Sequence, residues 1–167
     1  MAVPKYLNIS AGGVVTEDIA SITQVADKIV ATDSSGRIAL EQMPVGVGPE
    51  NIVLPSFEDL VAGDFVNIFD DTGTIKVQKA NATDALQEAH GFVIEAVTAP
   101  ADATVYVDGQ NDAVTGLTPG VDYFLAATDG AVTNTAPTAT GNLVQRVGRT
   151  TAAGNLIFKP QVMAIRA

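Results

Sequence analysis

The chain has 167 residues, with 9 Lys and Arg against 19 Asp and Glu, a formal net charge of −10 at pH 7. That balance argues against nucleic acid or an anionic membrane surface as the main partner, since both are held by basic patches. With no Cys and a single His, disulfides, thiolate catalysis, Cys-ligated metals and any site built on two imidazoles are excluded.

Hydrophobic residues make up 47% of the chain but aromatic residues only 5%, so the apolar content is mostly small side chains. The length suits one domain of ordinary size, or a smaller domain with an arm. The N-terminal MAVPKYLNIS lacks the apolar stretch of a signal peptide, so no targeting segment is expected. No apolar run approaches the ~18 residues of a membrane-spanning helix.

Residues 1–50 read differently from the rest. Short β-like runs at 12–16 and 28–32 are separated by polar spacers. The turn signal Asp33-Ser34-Ser35-Gly36 between Ile29-Val30-Ala31 and Ile38-Ala39-Leu40 predicts a small hairpin. Met43-Pro-Val-Gly-Val-Gly-Pro-Glu50 has two Pro and two Gly in eight residues, which suits a linker and neither a helix nor a central strand. Residues 1–44 hold one Tyr and no Phe, too little bulk for a core. Two forms fit: a terminus without fixed structure, or an extended arm that orders on a partner. The expected division is an arm and linker over 1–50 and a β-domain over 51–167.

From residue 51 strand signals recur. Asp64-Phe-Val-Asn-Ile-Phe69 places Phe65, Asn67 and Phe69 on one face and Val66 and Ile68 on the other. Asp70-Asp-Thr-Gly73 leads into Thr74-Ile-Lys-Val-Gln-Lys79, which predicts a hairpin with a longer loop. Residues 80–89 fit one short helical turn or a plain connection. The run 91–97 is apolar on both faces and predicts a buried strand. Further strands are expected at 103–108, 121–126, 142–147 and 155–159, with turns at Asp108-Gly109, 116–120, Asp129-Gly130 and Ala153-Gly154. Turns every ten to fifteen residues, without sustained 3.6-residue periodicity, predict an all-β sandwich or barrel preceded by an extended N-terminal arm with a small hairpin.

Candidate chemistry is sparse. A Ser-His-Asp relay must use His90, and no Gly-x-Ser-x-Gly elbow exists. His90 reads better as a residue at the entry to a strand. Paired carboxylates suited to glycoside hydrolysis occur at Asp70-Asp71 and Asp108…Asp112. Both pairs sit in Gly-containing turns, where Asp is favoured for its bond to the local backbone. Asp108-Gly-Gln-Asn-Asp112 clusters oxygen ligands but lacks the spacing and distal Glu of an EF-hand loop. Gly46-Val-Gly48 is followed by Pro49 and not by a helix, so it is not a phosphate loop. The expectation is a non-enzyme with no catalytic residue, metal or cofactor.

Charge is unevenly placed. Between Lys79 and Arg146 stand Asp84, Glu88, Glu95, Asp102, Asp108, Asp112, Asp122 and Asp129, with no Lys or Arg. After Asp129 come Arg146, Arg149, Lys159 and Arg166, with no acid. Solvated loops explain part of this. Opposite-signed surfaces on one subunit also suit self-association or docking on a lattice.

Three stretches together resemble a known group. The segment from Lys28-Ile-Val-Ala-Thr-Asp-Ser-Ser-Gly-Arg37 through Met43-Pro-Val-Gly-Val-Gly48 resembles the "KIVALDASGKID…MPVGIG" segment of tailed-bacteriophage virion proteins. Leu60-Val-Ala-Gly-Asp-Phe-Val-Asn-Ile68, Lys76-Val-Gln-Lys-Ala80 and Ala89-His-Gly-Phe-Val93 look like the core β-unit of those proteins. Ala103-Thr-Val-Tyr-Val-Asp-Gly109, Gly116-Leu-Thr-Pro-Gly120, Tyr123-Phe-Leu125 and Val144-Gln-Arg-Val-Gly148 complete it. The resemblance, which covers most of the chain from residue 28, is to capsid decoration (cement) or head-fibre proteins. It implies a homotrimer bound outside the shell of the major capsid protein, without catalytic residues; the expected protein is made in the host cytoplasm and, from its charge, binds neither nucleic acid nor membrane. The alternative is a tail-fibre or baseplate module that binds a host-surface glycan or another tail protein, motivated by the Asp-rich loops at 108–112 and 122–129.

Overall fold

The structure is a computed structural model that describes residues 5–9, 15–19, 32, 38 and 50–166. The chain divides into two units, Met1–Gly48 and Pro49–Ala167. The first contains an antiparallel pair, β1 (Lys5–Ile9) and β2 (Val15–Ile19), with Leu7 opposite Glu17. The hairpin expected between 29–31 and 38–40 lies outside the described residues.

The second unit is all-β, and its strands form two five-stranded sheets in which every pairing between strands is antiparallel. The first sheet has the order β3 (Asn51–Pro55), β7 (Asp102–Tyr106), β6 (Gly91–Phe92), β4 (Phe65–Asp71), β5 (Thr74–Lys79). It curls back on itself. Ser56, just past β3, forms a parallel bridge to Val77 of β5, and the Phe57 N–H donates to the Val77 carbonyl at 2.8 Å. The outer strands are thereby joined at one end, as in a small partly open barrel. Its interior is a cluster of Leu54, Leu60, Val66, Val77, Val93, Ala103 and Val105. Four Val and one Ala, with Leu54 and Leu60, fill this narrow space.

The second sheet has the order β10 (Val132–Thr133), β9 (Asp122–Leu125), β11 (Leu143–Ala152), β12 (Asn155–Ile165), β8 (Gly109–Asn111). It packs on the barrel through the second apolar cluster, to which Phe65, Phe92, Leu125, Val147, Leu156 and Phe158 all belong. Five of the nine aromatic residues, Phe65, Phe92, Tyr106, Tyr123 and Phe158, belong to this seam. Phe65, Phe92 and Tyr106 are cross-strand neighbours on β4, β6 and β7. Phe158 of the other sheet meets Phe65 and Phe92 at ring-centroid distances of 5.9 and 5.7 Å. These spacings fall within the favourable range for aromatic pairs. A chain poor in large side chains thus places them where two layers must be held together.

Two local features depart from expectation, and at a third the structure takes one of the two expected forms, a plain connection. The β4–β5 loop is shorter than expected: Asp71 pairs with Thr74, leaving Thr72 and Gly73 as a two-residue turn with φ of 52° and 91°. Positive φ at both positions is the type I′ pattern, whose twist matches the strands. The run 91–97 is a strand only at Gly91–Phe92, and beyond it the chain follows the 60–64 loop, with Val93 and Gly63 sharing a bond at 2.8 Å and Leu60 bridging Val97. Residues 80–89 contain no helix. Local side-chain bonds take the backbone groups instead: Asn81 Oδ1 accepts from the Thr83 N–H at 2.7 Å and Asp84 Oδ1 from the Leu86 N–H at 2.9 Å.

Candidate functional site

Of the paired carboxylates singled out in the sequence, Asp70, Asp71 and Asp108 have local partners, and Asp112 is exposed. Asp70 Oδ1 accepts the Gly73 N–H at 2.9 Å, closing its turn. Asp71 Oδ2 pairs with Lys76 Nζ at 2.7 Å, on the opposite face of the strand. These two carboxylates therefore do not converge on a common reacting centre. Asp108 Oδ1 accepts the Gly109 N–H at 2.8 Å. Its neighbour Asn111, fully buried, donates to the Gly63 carbonyl at 3.0 Å and ties β8 to the 60–64 loop. No group of three or more His, Cys, Asp or Glu residues suited to a metal ion occurs among the described residues. Gly46 and Gly48 lie outside them.

His90 belongs to a bracing network. Its Nδ1 accepts the Ile68 N–H at 3.0 Å, which places the ring proton of the neutral form on Nε2, 3.2 Å from Glu88 Oε1. Beside it, the buried Asn67 donates to the carbonyls of Leu86 at 3.1 Å and Glu88 at 2.9 Å. Gln145 on β11 completes the network: its Oε1 accepts the Ala89 N–H at 2.7 Å and its Nε2 donates to the Ala89 carbonyl at 2.9 Å. The 80–90 connector is thereby fastened to both sheets without secondary structure of its own. Asn67 and Gln145 carry no motif, and only their polar character at inward strand positions signals them.

Asp64 was likewise not separable by sequence from the solvated acids. It is buried, and desolvation pushes its carboxyl above the usual range, against the lowering effect of the Val61 N–H and of Lys79, whose Nζ lies 3.9 Å away. It also lines a groove of about 240 Å³ between the 62–65, 113–117 and 130–132 segments. Its Oδ2 accepts the Val61 N–H at 2.9 Å, and its Oδ1 lies close to Gly130.

The distinctive surface is the outer face of the second sheet. Strand alternation and register set Gln110, Ile157, Arg149 and Asp122 in one cross-strand row, and Phe124, Arg146 and Gln161 in the next. Lys159, between Ile157 and Gln161 on β12, shares that face. Asp122 is held between Arg146 at 2.8 Å and Arg149 at 3.5 Å, and the Arg146 hydrogen bond lowers its pKa. Three of the four basic residues after position 129, Arg146, Arg149 and Lys159, thus gather on one sheet face. Asp122 is the acid they surround, and the other acids of the β-domain stand on the barrel strands and the connecting loops. A second exposed feature is the barrel end at which β3 starts and the β4–β5 hairpin turns, where the interior-facing Ile52 and Ile75 reach the surface.

What this surface offers is contact: a rigid two-layer scaffold, a basic face, an acidic remainder and exposed apolar side chains at strand ends. In comparisons with known proteins, no family model and no curated protein matches the chain.

Proposed function

We propose that the protein is a non-enzymatic virion structural protein of a tailed bacteriophage, a decoration or cement protein that binds the outer surface of the major capsid protein shell and stabilises it. The observation that carries this reading is the uneven placement of charge on a β-scaffold: Arg146, Arg149 and Lys159 with the single acid Asp122 on one sheet face, and acids without bases from residue 80 to 121. Such a surface favours repeated docking on a lattice, where many weak copies gain by multivalency. The resemblance of residues 28–48 and of the β-unit segments to phage decoration and head-fibre proteins supports the same reading. Within it, the β-domain sits on the shell, the N-terminal region reaches towards neighbouring subunits, and three copies form the unit that docks.

The test is co-sedimentation of the full chain with expanded capsid shells made of the major capsid protein alone. Saturable binding, and a higher temperature for shell disruption, are expected. Absence of binding to such shells, with binding to host cells instead, overturns the capsid reading in favour of a tail-fibre or baseplate module.

A further inference from the structure

Strand β12 is 11 residues long, but β8 borders it only as far as Phe158, which lies opposite Gly109. On the other side β11 pairs with it as far as Ile165. Past Phe158, one edge of β12 has no strand partner among the described residues. Pro160 has no N–H to present to a neighbour, so the usable edge is 161–165. Val162, Met163 and Ile165 lie on it, 49%, 60% and 58% exposed. Lys159 and Arg166 flank it, and no acid occurs from 130 to the end of the chain.

A bare edge with exposed apolar side chains is a template for strand addition. Pairing of this edge with itself about a two-fold axis is disfavoured, because the antiparallel register brings Lys159 of one copy towards Arg166 of the other. The complementary occupant is an acidic strand. β2 is Val-Thr-Glu-Asp-Ile, five residues with Glu17 and Asp18, no base and a β-branched composition. The edge it would join, 161–165, has the same five-residue length. β2 pairs with β1 alone among the described residues, and an isolated two-stranded ribbon is marginal in water until another strand or a packed face joins it.

We propose that the 161–165 edge of β12 accepts β2 of the N-terminal hairpin of a second copy, so that one sheet continues across two molecules. Donor and acceptor are different surfaces, so the contact is heterologous and closes into a ring where the rotation between copies permits. It goes beyond the capsid reading and is tested without a capsid.

The experiment is the solution mass of the full chain by light scattering across a concentration series. The wild-type mass is expected to rise above 17.2 kDa with concentration and to fall back as salt increases. Glu17→Lys/Asp18→Lys and Lys159→Glu/Arg166→Glu each turn attraction into repulsion and are expected to weaken association about tenfold. Mixed in equal amounts, these two variants again present opposite charges to each other, and association is expected to return. A wild-type mass of 17.2 kDa at every concentration overturns the proposal. So do salt-independent association of the unmodified protein, wild-type assembly by either variant alone, and a mixture that stays dissociated. The unmodified protein's salt dependence decides the matter even where a variant folds poorly. Loss of shell binding by a protein that still self-associates overturns the capsid reading alone.

Discussion

Gln145→Leu is expected to loosen the connector that joins the two sheets. Gln145 is 2% exposed and Ala89 1% exposed, and the two amide bonds between them, at 2.7 and 2.9 Å, span 56 residues of sequence. A leucine keeps most of the volume but leaves the Ala89 N–H and carbonyl buried without these partners. At about 1–3 kcal/mol for each unsatisfied group, the expected loss is about 3 kcal/mol, a large share of the about 5–15 kcal/mol typical of a domain. With a urea dependence of about 1.5 kcal/mol/M, the midpoint should fall by about 2 M. Hydrogen exchange should accelerate first at 81–90. Gln145→Glu sharpens the test, because its carboxylate accepts the Ala89 N–H but opposes the Ala89 carbonyl. Burial raises its pKa in the folded state, so its deficit should be small at acid pH and grow as pH rises above the unfolded value of about 4.3. A midpoint shift under about 0.3 M for Gln145→Leu refutes the bracing role.

Two further outcomes are expected. Thr72 carries φ 52° in the two-residue turn before Gly73, a conformation that β-branched residues resist; Thr72→Asn should raise stability by about 0.5–1 kcal/mol in urea unfolding, and an unchanged midpoint would count against strain at this turn. Asp64, its carboxyl raised chiefly by burial, costs stability as pH climbs from the unfolded value of about 3.9 through its folded value. Asp64→Asn should therefore gain on the wild type between acid and neutral pH, and a difference that stays flat over that range would show the carboxylate to be fully compensated.

Local rules carried the strand assignments well where a strand had one polar face. Alternation at 64–69 and 74–79 placed β4 and β5 to within two residues. It failed at 91–97, because apolar content on both faces fits any buried extended segment, and backbone pairing with the 60–64 loop ends the strand after Phe92. It also stopped short at 142–147 and 155–159, since the extension of each strand is held by pairing with the expected part of the other, 148–152 with 155–158 and 161–165 with 143–146.

By itself the sequence determined the all-β class, the absence of thiol and two-imidazole chemistry, and the division of acid from base along the chain, because composition and period-two patterning act within a few neighbouring residues. Tertiary structure alone decided that β3 and β5 join through Ser56 and Val77, that Phe65, Phe92 and Phe158 meet, and that Arg146, Arg149 and Lys159 share a face. These depend on register between strands distant in sequence, which no local pattern specifies. The charge of −10 is therefore an incomplete description: it is the sum over a molecule whose second sheet presents the opposite sign.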